Sequence, residues 1–254
     1  MKEAFHLGFN VDDVANAKLA LMPGDPGRVE KIAATPPLEK CRAIAYQREY
    51  CTYLAGINDA PVVVTSTGIG GPSTSIALEE LAQMGLRTFL RVGTTGAIQS
   101  CINVGDVIIA SGAVRMEGAS SHYAPLEFPA VAHYQVINAL VEAAQSLRIP
   151  YHVGVTCSSD TFYPGQERQD TYSGYVLRRF RGITEEWRKL GVLNYEMETA
   201  AVLTLCSVMG LQGGSVMGVV VRREECEHVS GAHRQVGEEN AVKVAAKAAS
   251  LLME

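Results

Sequence analysis

Five short segments carry groups that could bind a small ligand, and each of them follows or ends an apolar run. They are residues 23–28 (PGDPGR), 67–73 (TGIGGPS), 91–96 (RVGTTG), 162–168 (FYPGQER) and 194–198 (NYEME). Glycines let backbone N–H groups approach a ligand, and the arginines and hydroxyls beside them suit an oxyanion. Residues 91–96, in which an arginine is followed by two hydroxyls framed by glycines, therefore predict an oxyanion site.

Arg91 is the most informative of these residues, because it lies in an otherwise apolar stretch, FLRV. Burying a guanidinium without an anionic partner is costly, so Arg91 needs either a bound anion or a structural salt bridge. Both alternatives stay open from the sequence. Structural alternatives also stay open for two other segments. Residues 23–28 could be a turn with no role in binding. Glu196 and Glu198 could serve only to stabilise a helix through its dipole.

The glycine-rich segment 67–73 has no lysine after its last glycine. It is therefore neither a Walker loop nor a complete GxGxxG motif. A tight turn from a strand into a helix explains the segment as well as a role in ligand binding does.

Apolar runs rich in Val, Ile and Leu predict buried strands at 18–22, 61–66, 88–92, 106–110, 152–157 and 215–221. Helical patterns occupy 72–84, 134–147, 196–209 and 238–253, and the polar residues 222–235 are predicted to form a long loop. Nearly continuous apolar strands that alternate with helices indicate an α/β fold whose sheet is covered on both faces. Such sheets bind ligands at the carboxyl ends of their strands, where the five segments lie.

Composition narrows the class of protein. A chain of 254 residues with 47% hydrophobic residues is expected to fold as one domain, 1–254. The net charge of −5 argues against nucleic-acid binding.

No apolar stretch at the start or elsewhere suits a signal peptide or a membrane span, so we expect a cytoplasmic protein with no membrane partner. The six cysteines form no CxxC pair, which indicates neither a zinc site nor a disulfide framework.

Taken together, the motifs resemble one family. Residues 67–76 (TGIGGPSTSI), followed by Glu79, Glu80 and Leu81, resemble the signature of the purine-nucleoside and uridine phosphorylase superfamily. Within it, RVGTTGAI, SSDTFYPGQER and NYEME are similar to the bacterial uridine phosphorylases. The resemblance extends from about Phe5 to the C-terminus. It implies a three-layer α/β/α fold with a central mixed sheet.

The activity implied by this resemblance is the reversible phosphorolysis of uridine, and of deoxyuridine, to uracil and α-ribose 1-phosphate. Inorganic phosphate is the co-substrate, and no organic cofactor is needed. The family also implies a homo-oligomer with shared active sites, a hexamer built as a trimer of dimers. A structural monovalent cation, potassium, would lie between subunits at Glu49, Ile69 and Ser73.

The same resemblance assigns the site residues to three groups. Phosphate contacts fall on Gly24, Arg28, Arg48, Arg91 and Thr94, with Arg48 supplied by a neighbouring subunit. Ribose contacts fall on Thr94, Met197, Glu198 and the partner subunit's His6. Base contacts fall on Thr95, Gly96, Phe162, Gln166, Arg168, Glu196 and Arg223. The catalytic set is Arg168, Gln166, Arg91 and Glu198.

One departure separates the sequence from the purine-specific members. Those enzymes place a Ser-Asp pair after the last strand, and the Asp protonates the purine, whereas this chain has Arg222, Arg223 and Glu224 after Val221. Gln166 could pair with an imide through both ends of its amide, and Arg168 could donate to a carbonyl that gains charge. The sequence thus favours a pyrimidine. A hydrolytic nucleosidase and a non-catalytic nucleoside-binding protein are the alternatives from other classes.

Overall fold

The structure is a computed structural model that describes residues 3–223 and 231–253. Within these ranges the strands are β1 (Leu19–Pro23), β2 (Glu39–Gln47), β3 (Tyr50–Ile57), β4 (Ala60–Thr65), β5 (Thr88–Ala97), β6 (Val107–Met116), β7 (Ala130–Val131), β8 (Tyr151–Ser159), β9 (Asn194–Glu196) and β10 (Gln212–Arg222). The α-helices are α1 (Val29–Ala33), α2 (Gly71–Gln83), α3 (Tyr134–Ser146), α4 (Ile183–Lys189), α5 (Thr199–Val208) and α6 (Gly231–Leu252).

Alternating side chains of the central strands cover the two faces of the sheet. In β1, Leu19 and Leu21 pack into a cluster with helices α1, α3 and α6. Ala20 and Met22 point the other way, into a cluster with α2 and α5. Because both faces are buried, these strands are nearly continuous in apolar residues, as the sequence indicated. The prediction of a mixed α/β fold with helices on both faces is confirmed.

The sheet is mixed, and one end of it closes on itself. Strands β4, β1, β5 and β10 lie side by side in that order and run parallel to one another, and β2, β3 and β4 form antiparallel pairs at the open end. At the other end, β10 pairs with both β5 and β6, while β9 pairs with both β5 and β8. Strands β5, β10, β6, β8 and β9 therefore form a closed ring. The apolar-run pattern did not predict this closure.

Two predicted boundaries change because of this pairing. The 88–92 strand continues to Ala97, since β10 and β9 supply partners for residues 94–97. RVGTTG is thus part of β5 rather than the segment after it. The predicted helix 196–209 is also wrong at its start, because Glu196 ends β9 and α5 begins at Thr199.

The prediction of a long loop over 222–235 is wrong at both ends. Arg222 is the last residue of β10, and α6 begins at Gly231, seven residues before the predicted start of the last helix. Residues 224–230 lie outside the described residues. In the described part of the chain, no helix is both long enough and apolar enough to cross a membrane.

Helix α6 lies unusually close to β10. A Cβ added at Gly218 would lie 1.8 Å from the carbonyl oxygen of Gly237, and one added at Gly237 would lie 2.5 Å from that of Val219. Neither position leaves room for a side chain. The pair therefore fixes the N-terminal half of α6 against the carboxyl end of β10.

We predict that Gly218→Ala lowers the free energy of unfolding by roughly 3 kcal/mol, because the methyl group overlaps backbone that can move only with the helix. Gly231→Ala is the matched control, since a Cβ there meets nothing within 4 Å. Urea unfolding at one fixed protein concentration measures both. Equal stabilities for the two variants would show that α6 is not held by this contact.

Candidate functional site

A cavity of about 700 Å³ opens at the carboxyl ends of β1, β5 and β10. All five segments singled out from the sequence contribute to its wall. The predicted site residues that line it are Gly24, Arg28, Glu49, Ile69, Arg91, Thr94, Thr95, Gly96, Phe162, Gln166, Arg168, Glu196, Met197 and Glu198. The convergence follows from the fold, because parallel strands end at the same edge of a sheet.

The Arg91 guanidinium is buried in the cavity wall between two carboxylates. Its Nε lies 3.1 Å from Oε2 of Glu196, and its Nη2 lies 2.6 Å from Oε2 of Glu198. Gly93 makes room for it, since a Cβ there would lie 3.0 Å from Nη2. Arg91 therefore forms the structural salt bridge that the sequence left as one alternative. The two carboxylates do not use every donor of the guanidinium, which has five N–H groups.

Glu196 connects this arginine to the start of helix α5. Its Oε2 also accepts hydrogen bonds from the backbone N–H groups of Glu198 and Thr199, both at 2.8 Å, and its Oε1 accepts one from Ser158. A carboxylate at a helix N-terminus is stabilised by the helix dipole. The groups around Glu196 thus hold Arg91 and α5 in one arrangement.

Glu198 is the second partner of Arg91. Its Oε1 accepts the N–H of Gly70 at 2.6 Å, so the glycine-rich segment is tied directly to the carboxylate. Burial raises the pKa of the Glu198 carboxyl, whereas the charge of Arg91 acts in the opposite direction. Each carboxylate oxygen has two acceptor positions, so both oxygens keep capacity for a further donor from the cavity.

Arg28 and the turn after β1 form one part of the cavity wall. Asp25 accepts the N–H of Gly27 at 2.9 Å and caps the short 3-10 helix Pro26–Arg28, which presents Arg28. The Arg28 Nε lies 3.8 Å from carboxylate oxygens of both Asp25 and Glu238. Burial lowers the pKa of Arg28. These long contacts leave the guanidinium able to bind an anion.

The FYPGQER segment forms a second part of the cavity wall, through Phe162, Gln166 and Arg168. Gln166 is buried, and the Arg168 guanidinium lies 3.9 Å from the centre of the Phe162 ring. Glu167, between them, has a φ of 55° and accepts the N–H groups of Gly182 and Thr184, the latter at 2.9 Å. This left-handed residue lets its two neighbours face the cavity while its own carboxylate anchors the segment to α4.

Arg223 lies behind this segment and does not line the cavity. It donates to the carbonyl oxygen of Gln166 at 2.7 Å, and its guanidinium lies 4.9 Å from the centre of the Tyr195 ring. Burial, together with the charge of Arg168, lowers the pKa of Arg223 to about 10. In this structure Arg223 supports Gln166.

Three further predicted residues lie outside the cavity of their own chain. His6 lies against Glu80, with 2.7 Å between its Nδ1 and Oε1, and Glu80 also accepts the N–H groups of His6 and Leu7. Arg48 is exposed in the β2–β3 turn. Ser73 Oγ lies 3.3 Å from the carbonyl oxygen of Ile69, and a Cβ on Gly68 would touch both Ser73 and Glu49.

Sequence reasoning missed several wall residues, namely Asp25, Pro26, Gly68, Gly93, Tyr195, Val220, Val221 and Arg234. Most of them belong to segments that were recognised. Arg234 is different, because it was assigned to a loop and only the helical conformation of residues 231–237 brings it to the cavity. Among the described residues, no group of three or more His, Cys, Asp or Glu side chains could hold a metal ion.

Comparisons with known proteins agree on one family. A model of the phosphorylase superfamily matches residues 18–254. The chain is 56% identical over 251 residues to a uridine phosphorylase of Escherichia coli, covering 99% of this chain and 98% of that one. It is 55% identical over 251 residues to a uridine phosphorylase of Salmonella typhimurium, with the same coverage, and 52% identical to one of Haemophilus influenzae over the full length of both. The chain belongs to the phosphorylase superfamily.

Proposed function

We propose that this chain catalyses the reversible phosphorolysis of uridine, and of deoxyuridine, to uracil and the corresponding α-pentose 1-phosphate. The observation that carries the proposal is the set of groups that line one cavity. Arg28 lies near Arg91, Arg91 is paired with Glu198, and Gln166 and Arg168 line the same cavity from a separate segment. An anion, a sugar and a carbonyl-bearing base require these three kinds of donor and acceptor on one cavity wall. The full-length uridine phosphorylase relatives support it.

In this proposal, phosphate binds beside Arg28 and Arg91. Arg28 and Arg91 provide guanidinium forks, which match phosphate oxygens better than point charges do. The Thr94 hydroxyl and the backbone of Gly24 add donors, and the absence of a side chain at Gly24 leaves the approach open. Since Glu198 already holds Nη2 of Arg91, the guanidinium is oriented before phosphate arrives.

Ribose binds over Glu198 and Met197. The Glu198 carboxylate accepts hydrogen bonds from the ribose hydroxyls through the lone pairs that Gly70 and Arg91 leave open. Met197 packs against the sugar, and Thr94 lies between the phosphate and the ribose. A phosphate oxygen then forms a bond to C1′ from the face opposite the base, with inversion, while the C1′–N1 bond breaks.

The electron pair of the broken bond moves into the uracil ring, so its carbonyl oxygens gain negative charge. Arg168 donates to one of them and stabilises the leaving group. Gln166 recognises the imide edge by donating to a carbonyl and accepting from N3–H. Thr95, Gly96 and Phe162 surround the ring. Glu196 lines the cavity and acts through Arg91, whereas Arg223 lies behind the wall and acts through the carbonyl of Gln166.

Pyrimidine selectivity follows from what lies after Val221. The acid that protonates a purine ring in related enzymes is replaced by Arg222, Arg223 and Glu224, of which Glu224 lies outside the described residues. Arg222 donates to the carbonyl oxygen of Ser100 at 3.2 Å. We therefore infer that purine nucleosides lack a proton donor for their leaving group.

We further infer that each active site is completed by a second copy of the chain, within a hexamer built as a trimer of dimers. His6 and Arg48 do not line the cavity of their own chain. Phe5, whose ring lies against that of His6, is 73% exposed, and Ile69, on the cavity wall, is 76% exposed. A second copy of the chain would cover these apolar side chains. The partner's His6 would reach the ribose, and the partner's Arg48 the phosphate.

A monovalent cation, potassium, fits the same interface. Ser73 Oγ lies 3.3 Å from the carbonyl oxygen of Ile69, and the side chains of Ser73 and Glu49 both border Gly68, so these residues are the ones that would supply oxygen to the ion. One chain offers too few ligands for a full coordination shell, so two copies would share the ion. Its contribution would be to hold the subunits together.

We also infer a cytoplasmic location for an enzyme with these substrates.

Phosphate dependence is the direct test of the reaction. We expect uridine and deoxyuridine to be cleaved only when phosphate is added, and inosine to be cleaved slowly or not at all, as measured by chromatographic release of the free base. Equal rates with and without phosphate would instead identify a hydrolase. Saturable uridine binding without cleavage would identify a binding protein.

Arg168→Ala should raise the activation free energy by roughly 2–4 kcal/mol, the range for losing one donor at a developing charge. The measurement is kcat/KM for uridine at saturating phosphate. Arg179→Ala removes the same charge from an exposed position in the same connection and is the matched control. Similar kinetics for both variants would show that Arg168 does not face the leaving group.

Sharing of the site predicts complementation. Arg28→Ala and Arg48→Ala should each be nearly inactive, but a refolded equal mixture should recover about a quarter of wild-type activity, because each mixed dimer keeps one intact site. A mixture as inactive as its components would place Arg28 and Arg48 in the same chain's site, whereas wild-type activity of Arg48→Ala alone would remove Arg48 from the site.

A further inference from the structure

We propose that Arg234 is an additional anion-binding residue of this cavity, which attracts phosphate at the opening and contacts it when bound. The inference rests on the proposed function for the identity of the anion. The motifs and the family resemblance did not include Arg234, and it reaches the cavity wall from the first turn of α6.

The position of Arg234 beside Arg28 is the first observation. Its Nη2 lies 3.7 Å from Oδ2 of Asp25, and the Nε of Arg28 lies 3.8 Å from the same oxygen. The other carboxylate oxygen of Asp25 is occupied by the N–H of Gly27. One carboxylate oxygen thus faces two guanidinium groups at distances longer than a hydrogen bond, so neither cation is satisfied by Asp25.

The second observation is electrostatic and concerns the same groups. Burial lowers the pKa of Arg28, the carboxylate of Glu238 opposes this, and the charges of Arg91 and Arg234 lower the pKa further. Arg91 and Arg234 are therefore both close enough to Arg28 to repel its charge. A phosphate dianion beside Arg28 would relieve this repulsion, while Asp25 and Glu238 lie near the Arg28 guanidinium when no anion is bound.

The third observation is that the backbone of α6 fixes the direction of Arg234. Residues three and four apart lie on the same face of a helix. Gly237, three residues on, packs against Gly218 of β10, and Glu238, four residues on, lies 3.3 Å from Lys31 and 3.8 Å from Arg28. The face that carries Arg234 is therefore the face turned to the strand ends.

The ordinary alternative is a surface ion pair. The Arg234 side chain is 62% exposed, and exposed pairs of this kind contribute little to stability. The exposure also suits a residue at the opening of a site, where charge acts on the arrival of a ligand and weakens with salt. Removal of Arg234 would weaken phosphate binding if it contacts the anion, and would leave phosphate binding unchanged if it forms only a surface ion pair.

The test compares Arg234→Gln with Lys243→Gln. Lys243 is an exposed cation on the same helix, its nearest carboxylate oxygen lies 3.9 Å away, and its replacement alters the net charge equally. We expect Arg234→Gln to raise KM for phosphate about three- to tenfold at low salt, with a smaller effect at high salt. The KM for uridine and kcat at saturating phosphate should stay within about twofold of wild type. Arg234→Lys should recover part of the phosphate affinity.

A binding measurement separates this inference from the proposed reaction. Phosphate and sulfate should raise the thermal unfolding temperature of wild type and of Lys243→Gln more than that of Arg234→Gln, since ligand binding stabilises the folded state. If these thermal shifts were seen but uridine was not cleaved, the proposed reaction would be refuted and the inference that Arg234 binds anions would stand. Equal phosphate KM and equal thermal shifts in both variants would overturn the role of Arg234.

Discussion

Burial of the Arg91 guanidinium within the sheet is the constraint on which the site depends. A cation in an apolar strand is tolerated only with anions at hydrogen-bond distance. Glu196 and Glu198 provide them, and each is fixed in turn by backbone N–H groups, at the start of α5 for Glu196 and at Gly70 for Glu198. The strand, the helix start and the glycine-rich segment can therefore be arranged in only one way around this charge.

Two groups of wall residues depend on different parts of the chain. The arginines come from the turn after β1, from β5 and from α6, whose position relative to β10 is fixed by two glycines in contact. Gln166 and Arg168 come from the connection between β8 and β9, held by Glu167 on one side and by Arg223 on the other. Glu198 joins two further segments, because it accepts a hydrogen bond from Gly70 and is paired with Arg91 of β5.

The sequence predicted those features that depend on local pattern. All six apolar runs are strands, since burial on both faces leaves a continuous apolar signal. The β2–β3 hairpin was missed because most residues of β2 are exposed. The motifs identified most of the cavity wall, but two relations required the structure. The carboxylate of Glu196 is directed to Arg91 and α5 by long-range pairing, and Arg234 reaches the cavity only because the segment before residue 238 is helical.

Ring closure of the five strands also bears on solubility. Strands at the edge of a sheet expose unpaired N–H and C=O groups that can join another chain, and a closed ring has none to offer. In the described part of the sheet, β2 is the long strand with an open edge. It has two irregularities in its pairing with β3, and Glu39, Lys40 and Arg42 are exposed along it. The exposed charges and the interrupted register both oppose pairing of β2 with a strand of another molecule. Aggregation through this exposed edge is therefore disfavoured.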